Sequence, residues 1–146
     1  MTGRTILLIE DSPDDEALIL RALKKANVQN RIDVVHDGAE ALEYVFGLER
    51  YAERGVAHPT VTILDLKLPK VDGLEVLRQI REDPRTKNNP VVILTSSDEH
   101  EDLLRSYGLG VNSYVRKPIE FGQFSKTVAD LGLYWLLLNR VAPDAQ

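Results

Sequence analysis

One apolar run constrains the fold more than any other stretch of this sequence. It spans Val61–Leu64 and ends at Asp65. A run of apolar and β-branched residues with no regular polar break is typical of a strand buried on both faces of a sheet. A carboxylate at the end of such a strand lies at the edge where open α/β sheets bind ligands. The pair Asp72-Gly73 then turns the chain into a helix predicted over 73–82.

Similar short runs recur along the chain and leave room for a helix after each of them. The further strands are predicted over 5–9, 31–35, 90–95 and 113–115. Helices are predicted over about 13–26, 39–48, 73–82, 99–109 and 120–140. Strands that alternate with helices favour a parallel sheet covered on both faces. The predicted fold class is therefore α/β, a doubly wound sheet of five parallel strands with five helices.

Length and composition predict one globular domain. The chain has 146 residues, of which 43% are hydrophobic and 28% charged, which is enough for a sizeable core. We expect a single domain over 1–146, with its core over 4–140 and a short tail over 141–146. The net charge of −5 argues against nucleic acid or an anionic membrane as a partner.

The compartment is predicted to be cytoplasmic. The sequence contains no cysteine, which excludes disulfides and thiolate metal sites. No apolar stretch of signal-peptide length precedes the first strand. No segment approaches the roughly 20 apolar residues of a membrane span.

Polar side chains stand at the ends of four predicted strands: Glu10 and Asp11, Asp65, Thr95, and Lys117. Each alone has an ordinary explanation as a cap, a turn residue or a surface ion pair. Parallel strands bring their carboxyl ends to one edge, so these groups are expected to meet there. Three neighbouring carboxylates need a cation or they protonate, and oxygen ligands with room for water suit Mg²⁺. With the ammonium and the hydroxyl, they predict a receptor for a phosphoryl group on Asp65.

Four short motifs carry these residues. They read IEDS at 9–12, LDLKLPKVDG at 64–73, ILTSS at 93–97 and YVRKP at 114–118. In this order the motifs resemble, over nearly the whole chain, those of two-component response-regulator receiver domains. The resemblance implies a flavodoxin-like receiver fold. It also implies a phosphoacceptor signalling protein, with autophosphorylation and autodephosphorylation as its only chemistry, rather than a metabolic enzyme.

The resemblance assigns a role to each site residue. It implies phosphoryl transfer from the phosphohistidine of a sensor histidine kinase to Asp65. It implies Mg²⁺ held by Asp11, Asp65 and the backbone carbonyl of Lys67, with Glu10 acting through water.

The same resemblance places Lys117 on the phosphoryl group and makes Thr95 the switch hydroxyl. Tyr114 is the aromatic that turns inward when Thr95 moves. The signalling surface is then formed by the fourth helix, the fifth strand and the fifth helix. The Lys117–Pro118 bond is expected to be cis.

Two other functions fit parts of the pattern. A Mg²⁺-dependent phosphohydrolase also uses a nucleophilic Asp after a strand, but it typically needs a second Asp two residues on, where this chain has Lys67. A receiver-like module that no longer takes phosphate normally lacks the acceptor, an acidic residue or the lysine, and all are present here.

The last helix and the connection before Pro59 suggest two partners. The long connection and the aromatic residues Tyr134 and Trp135 resemble stand-alone receivers that partner phytochrome-type light-sensing kinases, including bacteriophytochromes. The helix also carries more apolar surface than one face against a sheet requires. We therefore expect a homodimer with Tyr134, Trp135 and Leu137 in its interface. The rival interpretation is a monomer whose apolar patch is covered by the kinase or an effector.

Overall fold

The predicted sheet is present in the computed structural model, which describes residues 5–26, 28–95, 108–111, 113–118 and 120–130. The strands are β1 (Thr5–Ile9), β2 (Arg31–Val35), β3 (Val61–Asp65), β4 (Val91–Thr95) and β5 (Ser113–Arg116). The described helices are α1 (Pro13–Lys25), α2 (Gly38–Phe46), α3 (Gly73–Glu82) and α4 (Phe121–Asp130). All neighbouring strands are parallel, in the order β2-β1-β3-β4-β5. The fold is the predicted flavodoxin-like arrangement.

Polar caps start three of these helices, each in the connection that follows a strand. The Ser12 hydroxyl accepts the Asp15 N–H at 3.2 Å, and Pro13 occupies the first position of α1. Asp37 caps α2 and Asp72 caps α3 in the same way. A capping oxygen satisfies a backbone N–H that has no partner within its own helix. The caps fix where each helix leaves the carboxyl edge of the sheet.

The core lies in two layers, one on each face of the sheet. Residues of α1 and α4 cover one face, with Ile19, Leu23 and Phe124 among the buried side chains. Residues of α2 and α3 cover the other face, with Val45 and Leu77 among them. Both central strands, β1 and β3, contribute to both layers, which is the physical reason for their uninterrupted apolar runs.

Several element boundaries differ from the prediction. Helix α2 ends at Phe46 because Gly47 adopts a left-handed conformation with φ of 68°. A Cβ atom at Gly47 would lie only 2.4 Å from the Gly55 carbonyl carbon, so the following connection folds back closely on this residue. That connection contains a short 3₁₀ helix over Glu49–Tyr51 rather than being irregular throughout.

The helix predicted over 99–109 falls mostly outside the described residues, and Gly108 and Leu109 are not helical. Residues 131–140 of the last predicted helix also lie outside the described residues, and so does the whole tail over 141–146. Within the described part of the chain, no helix has the length and apolar character that a bilayer span requires.

Candidate functional site

The register of the sheet brings the predicted site residues to one edge. Ile9 pairs with Leu64 and Asp65 pairs with Leu94, so the residue after β1 lies level with the end of β3. Thr95 at the end of β4 pairs with Arg116, the residue before Lys117. Glu10, Asp65, Thr95 and Lys117 thus belong to one rim, as the sequence predicted from the parallel topology.

Asp65 is a nearly buried carboxylate, with 2% of the residue exposed. Its Oδ1 atom accepts the Lys67 backbone N–H at 3.0 Å, and its Oδ2 atom accepts a hydrogen bond from Lys117 at 2.9 Å. The loop after Asp65 turns back tightly, because a Cβ atom at Gly73 would lie 2.3 Å from the Asp65 carbonyl oxygen. Glycine at position 73 is therefore required for the helix start to approach the end of β3.

Glu10 is fully buried beside Asp65. Its Oε2 atom accepts the Ser12 N–H at 3.0 Å and a longer bond from Lys117 at 3.3 Å. Its buried Oε1 atom lies 3.3 Å from the Lys117 ammonium but receives no hydrogen bond from the described residues. Burial, reinforced by the Asp65 charge, raises the pKa of Glu10 to about 7, although the Ser12 N–H acts in the opposite direction.

Lys117 contacts three carboxylates. Its Nζ atom lies 2.9 Å from Asp65 Oδ2, 3.0 Å from Asp15 Oδ2 and 3.3 Å from Glu10 Oε1. Burial lowers the pKa of this ammonium, but the bonds to Asp65 and Asp15 and the nearby charges more than offset it, so the pKa lies above its usual value. The Lys117–Pro118 bond is cis, as expected.

Asp11 is exposed and completes an acidic group with its two buried neighbours. Carboxylate oxygens of Glu10, Asp11 and Asp65 all lie within 4.8 Å of one another. Among the described residues, the site together with Asp15 holds four carboxylates and one ammonium, that of Lys117. A hard divalent cation fits this donor set, since all the side-chain ligands are oxygens and one buried oxygen has no hydrogen bond.

The remaining predicted residues are placed less completely. Tyr114 on β5 is half-buried and packs against the core layer under α2 and α3. Thr95 is placed as the last residue of β4, and its side chain lies outside the description. The Lys67 side chain is exposed. The predicted interface residues Tyr134, Trp135 and Leu137 lie outside the described residues.

Asp15 belongs to the site, and the sequence analysis missed this. It stands in the acidic first turn of α1, where a carboxylate is explained by the helix dipole alone. Its position three residues after the cap Ser12 was the available signal, because that position faces back towards the preceding strand end.

Comparison with known proteins decides the family. The model of the response regulator receiver domain matches residues 6–129. The chain belongs to this family. Receiver domains are signalling modules of two-component systems, their general function is phosphoryl transfer, and they imply a histidine kinase as partner.

Individual relatives cover most of the receiver. The probable methanogenesis regulatory protein FilR2 of Methanothrix harundinacea is 43% identical over 135 residues, which is 92% of this chain and 85% of the relative. The bacteriophytochrome response regulator RtBRR superimposes with a TM-score of 0.82 at 48% identity, covering 97% of this chain and 85% of that one. The Mn²⁺-bound form of response regulator Rcp1 has a TM-score of 0.78 at 34% identity, covering 96% and 99%. An Rcp1 from Synechocystis sp. is 35% identical over 133 residues, 91% of this chain and 89% of that protein.

Proposed function

We propose that this receiver accepts a phosphoryl group on Asp65 from a sensor histidine kinase in a Mg²⁺-dependent reaction. The observation that carries the proposal is the setting of Asp65. This carboxylate is nearly buried at a strand end, it contacts the Lys117 ammonium, and it forms an acidic group with Glu10 and Asp11. A nucleophile, a cation site and a fixed positive charge are the parts that phosphoryl transfer requires.

The cation would be held by Asp11 and Asp65 directly, by the backbone carbonyl of Lys67, and by Glu10 through water. Bound there, Mg²⁺ supplies positive charge for the phosphoryl oxygens. That one related receiver binds Mn²⁺ supports an oxygen-ligated divalent cation in this fold. The excess of carboxylates over ammonium in the site supports it independently.

In the proposed transfer, a carboxylate oxygen of Asp65 attacks the phosphorus of the kinase phosphohistidine. The O–P bond forms as the P–N bond breaks, and the histidine nitrogen keeps the electron pair. Lys117 neutralises a phosphoryl oxygen from the side of Asp65 that it already contacts at 2.9 Å. The burial of Asp65 favours the transfer, because charged interactions are stronger away from bulk water.

The switch proposed to follow uses Thr95 and Tyr114. The Thr95 hydroxyl would donate to the new phosphoryl group, and the Tyr114 ring would turn into the space that it leaves. Tyr114 lies on β5, the edge strand, so its movement would change the surface in the C-terminal half of the chain. We propose that the single domain over 1–146, with its core over 4–140, signals through this surface.

A phytochrome-type light-sensing histidine kinase is the proposed donor. RtBRR, a bacteriophytochrome response regulator by name, shares 48% of its aligned sequence with this chain and aligns over 97% of it. Purified candidate kinases labelled with phosphate on histidine, mixed with this receiver, would identify the partner by the fastest transfer.

The test of the phosphoacceptor uses intact mass after incubation with Mg²⁺ and acetyl phosphate. We expect one phosphoryl group on the native chain and none on Asp65→Asn, which keeps the shape of the side chain but is a poor nucleophile. Asp72→Asn is the matched control, because Asp72 is an exposed carboxylate of the same loop and asparagine also caps helices. Undiminished labelling of Asp65→Asn would contradict the proposal.

We also propose that the protein forms a homodimer through the last helix, with Tyr134, Trp135 and Leu137 in the contact. The support is the apolar surplus of the sequence after residue 130. Light scattering over a dilution series should give a dimer mass that Leu137→Glu reduces to that of a monomer. A monomer mass at every concentration would favour the kinase or an effector as the cover of this helix.

A further inference from the structure

The Lys117 ammonium divides its donors among three carboxylates on three different segments of the chain. An ammonium has three N–H donors, and Nζ has one carboxylate neighbour for each of them: Asp65, Asp15 and Glu10. The Asp15 and Lys117 side chains are 24% and 18% exposed, so the pair lies partly out of water. Asp15 stands outside the group of three carboxylates suited to a cation.

The local geometry of α1 explains why Asp15 is available for this contact. Asp15 occupies the third helical position after the cap Ser12, and its N–H donates to the Ser12 hydroxyl. In the reciprocal capping arrangement, the side chain at that position accepts the N–H of the cap residue. Here the Ser12 N–H donates to Glu10 Oε2 instead, at 3.0 Å. The Asp15 carboxylate is thereby left to bind Lys117.

We infer that Asp15 is a positioning residue that keeps the Lys117 ammonium beside Asp65 while the cation site is filled. The inference rests on the proposed function and adds to it a fourth carboxylate with a separate task. In this inference Glu10, Asp11 and Asp65 hold the cation, and Asp15 holds the Lys117 ammonium.

The charges explain why the ammonium needs its own carboxylate. A divalent cation bound to the acidic group repels the Lys117 ammonium. It also attracts the Glu10 and Asp65 carboxylates, which weakens their attraction for that ammonium. Asp15 still offers Lys117 one carboxylate that the cation does not use. Without it, Lys117 has only the partners that the cation needs, so ammonium and cation compete.

The pairing is tested first without metal, in EDTA, by thermal unfolding of Asp15→Asn in two backgrounds. In the native background the change removes an ion-pair partner, so the melting temperature should fall. In a Lys117→Met background the same change removes one of several mutually repelling carboxylates, so the melting temperature should rise. A fall in both backgrounds would overturn the inference.

The role in positioning is tested by calorimetric titration with Mg²⁺. Asp15→Asn should weaken binding about three- to fivefold, which corresponds to the upper range for partly exposed ion pairs. Asp14→Asn is the matched control, since Asp14 is the exposed neighbour in the same helical turn with the same charge, and it should change binding less. In the Lys117→Met background the difference between the Asp15 and Asp14 variants should disappear. A difference that persists undiminished there would assign the effect to the Asp15 charge alone and overturn the inference.

A conservative variant covers the case in which Lys117→Met does not fold. Asp15→Glu keeps the charge and can reach Lys117, so it should restore Mg²⁺ affinity to near the native value. Equal losses in Asp15→Asn and Asp15→Glu would overturn the inference. Failure of the native chain to bind Mg²⁺ or take the phosphoryl group would instead refute the proposed function, while the unfolding comparison would still decide the pairing.

Discussion

Two polar clusters of this receiver differ in their balance of charge. The site cluster consists of Glu10, Asp11, Asp15, Asp65 and Lys117, with four carboxylates and one ammonium. The Asp33 cluster consists of Asp33, Arg31, Tyr44 and Arg54, with one carboxylate and two guanidinium groups. Both contain half-buried or buried carboxylates next to strands of the same sheet.

The Asp33 cluster is closed by its own contacts. The Tyr44 hydroxyl donates to Asp33 Oδ2 at 2.5 Å, and Arg31 Nε donates to Asp33 Oδ1 at 2.8 Å. The Arg54 guanidinium lies 4.2 Å from the centroid of the Tyr44 ring and donates to the Tyr44 carbonyl. These contacts fasten the connection before β3 to α2 and β2. Both Asp33 carboxylate oxygens accept hydrogen bonds here, as expected of a cluster that only stabilises the fold.

The site cluster lacks this balance. Glu10 Oε1 is buried without a hydrogen bond from the described residues, and one ammonium faces three carboxylates. Excess negative charge that the protein does not neutralise lowers the stability of the folded state. A bound cation or phosphoryl group changes the net charge of the site and with it that stability. Stability is therefore given up at the edge of the sheet where we propose that a charged ligand binds.

The largest expected effect comes from removing the only cation of the site cluster. Lys117→Met should lower the free energy of unfolding by about 2 kcal/mol in EDTA at pH 8, because it leaves buried carboxylates without a counter-charge. Mg²⁺ should recover much of the loss by binding only the folded state. Arg54→Met removes a cation from the Asp33 cluster but leaves the cation site intact, so Mg²⁺ should stabilise this variant only as much as the native chain and leave its deficit unchanged. Urea unfolding with and without Mg²⁺ measures both, and equal Mg²⁺ responses would break the comparison.

A smaller effect is expected within the Asp33 cluster. Tyr44→Phe keeps the ring but removes the donor to Asp33, so it should lower the free energy of unfolding by about 1.5 kcal/mol. Labelling by acetyl phosphate should stay at the native level. Tyr51→Phe is the control, because the Tyr51 ring packs edge-on against Tyr44 at 5.0 Å and is kept. A labelling defect in Tyr44→Phe would show that this cluster is not purely structural.

Per unit of pH, the smallest effect is the pH dependence carried by Glu10. Burial next to Asp65 raises the pKa of Glu10 from 4.5 to about 7 despite the Lys117 charge, and an oxygen of the exposed Asp11 carboxylate lies within 4.8 Å of it. A raised pKa means that the folded state holds a proton that the unfolded state has already lost. This stabilisation is fully present below pH 4.5 and is lost as the pH rises to about 7.

Thermal melts in EDTA across this range should therefore show stability falling as the pH rises, by at most about 1.4 kcal/mol per pH unit. Glu10→Gln should remove the part of this dependence of stability on pH that Glu10 contributes. Glu53→Gln, on the exposed connection before β3, should leave the slope unchanged. A slope that survives Glu10→Gln would assign the proton to another group of the site cluster.

The sequence by itself determined where the strands lie along the chain and at which edge of the sheet the site residues are found. Runs of apolar and β-branched residues such as 61–64 favour strands buried on both faces of a sheet, and parallel strands place their carboxyl ends together. The positions of Glu10, Asp65 and Lys117 at one rim follow from that rule, without any knowledge of their distances.

Tertiary structure alone decided which side chains meet across the chain. Lys117 contacts Asp65 from 52 residues away, and the capping position of Asp15 does not by itself show that Lys117 reaches it. The close approach of the Gly55 backbone to Gly47 and the hydrogen bond from Tyr44 to Asp33 are likewise set by packing. Periodicity and capping report the local backbone, whereas the choice among equally charged neighbours depends on the distances between side chains once the segments have packed.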